Sequence, residues 1–417
     1  MKSQKVSLLY LVLLILAGES VFILPFIIPR VFRPTVLECF SLSNVDLGLC
    51  YSSYGIVALF SYLLGGPIAD RYSPRKLISI SLVFTALGGI YFASFPSLLG
   101  LQTLYAYWGF TTIFLFWAPM IKATRIWGGK LAQGKAFGFL DGGRGMVGAL
   151  FSSLGVFIYS MLSSEGNLED NITSNQDAFA PVIFTSSLLV ALVGVLVWFF
   201  LKMKHNRTGE INVEKISIQN IKKVLSLSSI WLLMIIILCA YVGYKITDVF
   251  SLYANEVMLY DEVESAKVGT YLLYIRPVIG IIIGILADRS KITLFLLVSF
   301  VCAFLGAVSF AVGIVNASAT LFFIFSTLLV AIGVYGARSL YFAVLRNGKI
   351  PLALTGTAVG MISIVGYTPD IFAGPFMGWL LDSSPGIEGH QNVFWMLAGF
   401  SFIGMLASVV YYKIYER

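Results

Sequence analysis

Charge is scarce in this chain. Of 417 residues only 12% are Asp, Glu, Lys or Arg, while 58% are hydrophobic, and the mean hydropathy is +0.88. A soluble domain of this length could not bury so much apolar surface, so the composition points to a chain that crosses a lipid bilayer many times. Histidine is scarcer still, with only His205 and His390, both in stretches read as loops. There is no HExxH, no GxSxG and no cluster of His, so nothing supports a metal site or an intramembrane enzyme. A phosphate-cradling GxxxxGK loop is also lacking, which excludes direct use of ATP and leaves no cofactor to name. The four cysteines, Cys39, Cys50, Cys239 and Cys302, have no metal-ligand spacing. Cys39 and Cys50 either pair on the outer side or, the plainer reading, stay as unpaired thiols at apolar sites. The net charge of +7 would suggest nucleic acid in a soluble protein. Here the basic residues gather between apolar runs, and no nucleic-acid partner is implied.

What the chain does have is long apolar runs. Twelve are long enough to cross a hydrocarbon core of about 30 Å at about 1.5 Å per residue. They fall near 6–28, 46–68, 77–96, 98–122, 134–162, 179–201, 228–256, 266–287, 292–314, 318–345, 353–381 and 392–413. The first, Val6 to Ile28, is too long for a signal-peptide core and lacks a cleavage site, so it is read as a retained helix. The most polar interruption, Lys202 to Lys223, divides the chain into an N-terminal six-helix bundle (1–201), a linker (202–227) and a C-terminal six-helix bundle (228–417). Most Lys and Arg fall on the linker's side of the membrane, with only Arg30, Arg33 and Lys267 on the other. This asymmetry predicts that both termini are cytoplasmic, in a plasma or bacterial inner membrane. A sequon at Asn171-Ile172-Thr173 lies in an outer loop, where glycosylation requires a eukaryotic host.

Gly65-Gly66-Pro67-Ile68-Ala69-Asp70-Arg71-Tyr72-Ser73-Pro74-Arg75-Lys76 forms a tight charged turn between two of these runs. Its glycines let helices approach closely in lipid. A degenerate copy, Gly284-Ile285-Leu286-Ala287-Asp288-Arg289, stands in the second half. Gly134-Lys135-Ala136-Phe137-Gly138 and Gly356-Thr357-Ala358-Val359-Gly360 match at a similar distance after each copy. Two matched landmarks in register predict a duplicated architecture with a substrate path between the halves. The turn resembles the loop between helices 2 and 3 of the major facilitator superfamily. That resemblance implies an all-α membrane fold of 12 transmembrane helices in two pseudo-symmetric six-helix bundles. It also assigns Asp70, Arg71, Arg75, Asp288 and Arg289 to gating, as latches made in one state and broken in the other.

The resemblance narrows further. Asp46-Leu47-Gly48, the Asp70 turn, Trp117-Ala118-Pro119-Met120-Ile121-Lys122 and Gly356 to Gly360 with Gly366-Tyr367 are similar to pieces of the organophosphate:phosphate antiporters, the glycerol-3-phosphate and sugar-phosphate transporters. In that group one Arg in helix 1 and one in helix 7 hold the phosphate. This chain has Gly243 at the helix 7 position with Lys245 two residues on, and Glu19 rather than Arg in the first helix. The binding His of helix 5 aligns with Arg144. The cations are present but redistributed.

An ionisable residue inside lipid is costly, and each is therefore a site candidate with a partner to be named. Arg144 lies among Gly142, Gly143, Gly145 and Gly148, which leave room for a guanidinium to grip a carboxylate or phosphate. Asp141, three positions before it, shares its helix face and offers a purely structural partner. Lys245 and Asp248 repeat that arrangement, flanked by Tyr241 and Tyr244. Arg276, before Pro277, and Arg338 have no acid at helical spacing, so each needs a partner on another helix or an anionic substrate. Tyr367 joins this substrate-binding set through the helix 11 resemblance. Glu19 and Asp370 are the proton-coupling candidates, because an isolated buried carboxylate holds a proton readily; for Glu19 the alternative is an ion pair with Arg144 or Lys245. Lys122 and Arg125 sit where snorkelling to water explains them.

These readings converge on a secondary transporter, not an enzyme, that moves a small organic anion by alternating access. The cargo is a carboxylate, a phosphorylated metabolite or an amino acid, carried by antiport or proton symport. The alternatives are a proton-coupled carrier of a zwitterion and a transporter-like ligand sensor without flux. The partners implied are the small-molecule anion, the lipid bilayer and, in the symport reading, protons. The family default is a monomer.

Overall fold

The computed structural model describes residues 8–128, 133–164, 172–202, 218–288, 291–341, 344, 348, 350 and 355–416. In chain order the helices are α1 (Leu8–Phe22), α2 (Ile28–Val31), α3 (Arg33–Cys39), α4 (Asn44–Arg71), α5 (Pro74–Phe92), α6 (Leu98–Gly109), α7 (Trp117–Gly128), α8 (Gln133–Ser164) and α9 (Ile172–Phe200). There follow α10 (Ile218–Leu225), α11 (Ser228–Ile246), α12 (Phe250–Glu256), α13 (Glu262–Asp288), α14 (Ile292–Ala311), α15 (Thr320–Leu340), α16 (Thr355–Gly366), α17 (Pro369–Ser383) and α18 (Ile387–Tyr415). Each apolar run of the sequence is largely helical over its described residues, and ten continuous spans among them are long and apolar enough to cross a membrane. The fold class is the all-helical one expected.

Local chemistry explains where helices start and bend. Ser43 and Asp46 form a capping box at the start of α4: Asp46 N–H donates to Ser43 Oγ at 3.1 Å, and Ser43 N–H donates to the Asp46 carboxylate at 3.0 Å. Pro74 opens α5 and Pro369 opens α17, positions where the missing N–H costs nothing. The first membrane span, Leu8–Val31, is not one regular helix. It passes through a π-helical turn at Ile23–Ile27, centred on Pro25, whose missing N–H cannot serve the regular ladder. A second π turn at Phe110–Phe114 separates α6 from α7.

Two expectations are corrected here. The run at 353–381 is two helices, α16 and α17, because Pro369 stops the ladder after Tyr367 and Thr368. Within the linker range, Ile218–Leu225 forms α10, with Val224 fully buried and Lys222 and Lys223 exposed. His390 is no loop residue. It lies in α18, has no exposed surface, and pairs with Glu256 at 2.8 Å. The four cysteines are all free, and Cys39, Cys50 and Cys239 are buried. The Cys39–Cys50 pairing is therefore not made, and burial, with Glu262 and Glu38 nearby, pushes the Cys39 thiol up to about 12. The sequon at Asn171 and the residue His205 lie outside the described residues.

The chain forms two compact units. The first comprises residues 1–205, 248–255 and 260–277, and the second 206–247, 256–259 and 278–417. Within the first, α1 packs on α8 and α9, α4 on α6, and α5 on α9. Ser79 Oγ donates to the Gly194 carbonyl at 2.6 Å, a contact open only because Gly194 brings no side chain against α5. Within the second, α14 packs on α15 and α18, and α11 on α16 and α18. The outward faces carry large apolar side chains such as Phe60, Leu150, Phe199, Leu321 and Trp379. Such a surface suits hydrocarbon, not water.

Candidate functional site

The densest buried charge in the first unit centres on Glu19 of α1. Its Oε2 accepts from Arg144 Nε of α8 at 3.0 Å, and its Oε1 from Arg276 Nη1 of α13 at 3.4 Å. Arg276 Nη2 also reaches Asp141 Oδ1 at 3.3 Å. Glu19, Arg144 and Arg276 are 2%, 8% and 5% exposed. Among the described residues two guanidiniums thus face two carboxylates, and these charges balance. Asp141 and Arg144 do not pair with each other, contrary to the structural alternative read from their spacing. Arg276 finds its acids on two other helices, one of the two outcomes its lone position allowed.

Glycines make the room, but of the four around Arg144 only Gly148 faces the cluster. A Cβ on Gly18 of α1 would meet Arg144 Cδ at 3.1 Å and Met120 Sδ at 3.2 Å, so Gly18 admits the guanidinium's stem. A Cβ on Gly148 would meet Glu19 Oε1 at 3.2 Å, so Gly148 admits the carboxylate. Gly142 faces open space. The Arg144 guanidinium lies over Phe22 and Trp117, 5.4 and 6.0 Å from the two ring centroids. With Nε committed to Glu19, its two terminal nitrogens make no hydrogen bond to the described residues. The guanidinium is fixed at one end and presented at the other.

The second unit has its own cluster. Lys245 Nζ of α11 pairs with Asp370 Oδ1 of α17 at 3.1 Å, and Tyr241 Oη donates to both Asp370 oxygens at 3.0 and 3.2 Å. Arg338 of α15 sits 3.6 Å from the centroid of the Tyr244 ring and 5.8 Å from that of Tyr241. Tyr367, at the break between α16 and α17, packs edge-on against Tyr241 and approaches Tyr341 Oη at 3.4 Å. The sequence therefore named the members of this cluster but not its pairs. Lys245 does not turn to Asp248 three residues on. Nor is Asp370 or Glu19 the isolated carboxylate on which the proton-coupling expectation rested.

Asp248 belongs to a third group, in the first unit. Arg30 Nε of α2 bonds to its Oδ1 at 2.5 Å, and Ser251 Oγ donates to the Arg30 carbonyl at 2.7 Å. Arg30 and Arg33 are 2% and 1% exposed. Hydropathy assigns them to a loop. Their apolar neighbours in Ile28-Pro29-Arg30-Val31-Phe32-Arg33 were the signal that these arginines point inward. Phe22 and Trp117 were missed as site residues for a different reason: an aromatic in an apolar helix looks like any other core residue.

The turn residues are placed in part. Asp70 and Arg71 end α4, and Lys122 Nζ donates to the Ala69 carbonyl at 2.8 Å, capping that end. Lys122 is thus engaged with backbone rather than simply reaching for water. Arg71 lies over the Tyr72 ring at 5.8 Å and Arg75 over Trp198 at 5.7 Å. The side chains of Asp70 and Asp288, and all of Arg289, lie outside the described residues. Among the described residues no group of His, Cys, Asp and Glu is arranged to hold a metal ion.

Known proteins of this architecture bear on the site. The family model described as Major Facilitator Superfamily matches residues 9–369. The chain is 30% identical over 382 residues to the inner membrane protein YqcE of Escherichia coli, covering 90% of this chain and 87% of that one. It is 28% identical over 413 residues to the inner membrane protein YihN of the same organism, covering 96% and 94%. Among solved structures it resembles a bacterial homolog of the human lysosomal transporter Spinster, in an inward-facing and unoccupied conformation. The TM-score is 0.74 at 18% identity, over 99% of this chain and 100% of that one. It also resembles the nucleoside transporter NupG, with a TM-score of 0.69 at 15% identity over 97% and 98%. A family match along most of the length, on helices whose buried charges are held in interhelical pairs, identifies the chain as a member of the Major Facilitator Superfamily, an integral membrane secondary transporter and not an enzyme.

Proposed function

We propose that this transporter carries a small organic anion, held by Arg144. The observation that carries the proposal is the state of that guanidinium: Nε anchored by Glu19, stem seated against Gly18, and two terminal nitrogens left to bind beside Phe22 and Trp117. A guanidinium held this way is preorganised for a carboxylate or a phosphate, since planar forks meet two oxygens at once. The anionic cargo of the organophosphate:phosphate antiporters belongs to the same chemical class. Lys245, Arg338, Tyr241, Tyr244 and Tyr367 supply a second cationic and aromatic group of the same character. The transport mode is antiport or proton symport, and the turns at Asp70 and Asp288 act as gates. We place the protein in a bacterial inner membrane, like the relatives named for that location, with both termini cytoplasmic and two six-helix halves, 1–201 and 228–417, joined by 202–227.

A zwitterion such as an amino acid is the second reading, and one feature favours it. Asp141, beside Arg276, has a side chain 53% exposed and can accept from an ammonium group. Both readings are tested by thermal unfolding of the purified protein in detergent with phosphorylated sugars, monocarboxylates, dicarboxylates and amino acids. A ligand that binds only the folded protein raises the melting temperature by mass action. An anion that stabilises wild type and Lys245→Ala, but not Arg144→Ala, supports the site at Arg144. A stabilising ligand indifferent to both substitutions overturns it.

A further inference from the structure

Among the described residues, Arg33 is a buried cation whose hydrogen bonds go to a neutral group alone. It is 1% exposed, and its Nε and Nη2 both donate to Asn44 Oδ1, at 3.3 and 2.9 Å. Its Nη1 is buried with no hydrogen-bond partner among the described residues. Arg30, three residues earlier, is as deeply buried but has Asp248 as its counter-charge. Asp248 does not serve both arginines. Its Oδ1 is taken by Arg30, and its buried Oδ2 accepts from neither arginine. Arg30, Arg33 and Asp248 all lie within electrostatic reach of the Tyr51 hydroxyl, and Arg33 and Asp248 within reach of Tyr105. Among the described residues beside them, Asn44, Cys50, Tyr51 and Tyr105 are neutral, and Asp46, the acid within reach of Cys50, is taken up by Ser43 at the start of α4. Among the described buried residues two guanidiniums therefore face one carboxylate, an excess of one positive charge.

Such a charge is costly unless an opposite one lies against it. Tyr105, within electrostatic reach of Arg33, also has a buried hydroxyl with no hydrogen-bond partner among the described residues. We propose that Arg33 Nη1 binds a small inorganic monoanion, of which chloride is the abundant example, as a resident counter-charge. Arg33 opens α3, beyond the π turn and α2, so about 20 Å of chain at helical rise separates it from Glu19 of α1. The ion site is thus separate from the candidate transport site. The competing possibility is a water bridging Arg33 to Asp248 Oδ2, which fills the same atoms but has no preference among anions.

The test is thermal unfolding of the full-length protein in detergent at constant ionic strength, exchanging gluconate for chloride or bromide. Wild type and Arg144→Ala are expected to show a saturating rise of about 2–4 °C with halide. Arg33→Gln is expected to show none. No halide-specific rise in wild type, or an undiminished rise in Arg33→Gln, overturns the proposal. Should Arg33→Gln fail to fold, crystals of wild type in bromide decide the matter. An anomalous peak beside Arg33 Nη1 supports the site, and its absence at saturating bromide overturns it.

Discussion

Asp141 and Arg144 stand three residues apart on one helix, and each pairs across to a different helix: Arg144 to Glu19 of α1 and Asp141 to Arg276 of α13. The charges of the first unit therefore tie three helices together instead of closing on a single one. Glu19 is the shared element, and the consequences of changing it can be stated.

Glu19→Gln leaves the buried Arg144 and Arg276 without their common carboxylate. Losing one partner of a buried pair costs about 3–5 kcal/mol, so the variant should unfold at a clearly lower temperature than wild type. Glu19→Gln combined with Arg144→Gln should recover part of that loss, because fewer charges are stranded. Circular dichroism melts of the three proteins compare these directly. A double variant no more stable than Glu19→Gln would show that Arg144 is satisfied without Glu19.

Gly18→Val should act on the site through space alone. Its side chain would enter the volume now held by Arg144 Cδ and Met120 Sδ, a clash that costs about 1–3 kcal/mol in a packed core. Ligand affinity should fall with Arg144 still present. Isothermal titration with whichever anion stabilises wild type measures this, and unchanged affinity would mean that the guanidinium has other room.

In the second unit the order of effects should be Asp370→Asn larger than Tyr241→Phe. The first removes the carboxylate paired with the buried Lys245. The second removes a hydroxyl from a carboxylate that keeps its ammonium partner, worth about 0.5–1.5 kcal/mol. Chemical unfolding of both variants gives the ranking, and equal losses would argue that the Lys245 pair contributes little.

Arg30→Met and Asp248→Asn should each destabilise the first unit, and Arg30→Met the more mildly. Removing Arg30 lets Asp248 compensate Arg33, whereas removing the Asp248 charge strands two arginines. The midpoint of thermal aggregation for each variant reads the difference. The reverse order would show that Arg33 draws nothing from Asp248.

The helices were legible because hydropathy and length determine them: among the described residues the apolar runs are largely helical, and the turn at Asp70 falls between α4 and α5. The members of the buried clusters were legible too, since an Arg or Glu amid Leu and Ile stands out. Their pairing was not. Spacing says which residues share a face of one helix, but not which neighbour that face meets, so Lys245 is matched to Asp248 by sequence and to Asp370 by packing. Arg30 and Arg33 were hidden by the same logic that found the helices, because a window average reads two arginines and two prolines as loop. The break between α16 and α17 was visible only as Pro369, and nothing local said that Tyr367 would turn into the Tyr241 cluster.

The free cysteines make this protein convenient to probe. Cys39, Cys50 and Cys239 are closed off from reagents in the folded state, and Cys39 also stays a thiol near neutral pH. Only Cys302 is partly accessible. Replacing that one residue leaves a background in which a cysteine introduced at an exposed position is the single fast-reacting thiol. Paired spin or fluorescence labels can then follow movement between chosen helices, without the wholesale cysteine replacement that would disturb the buried packing at Cys39 and Cys50.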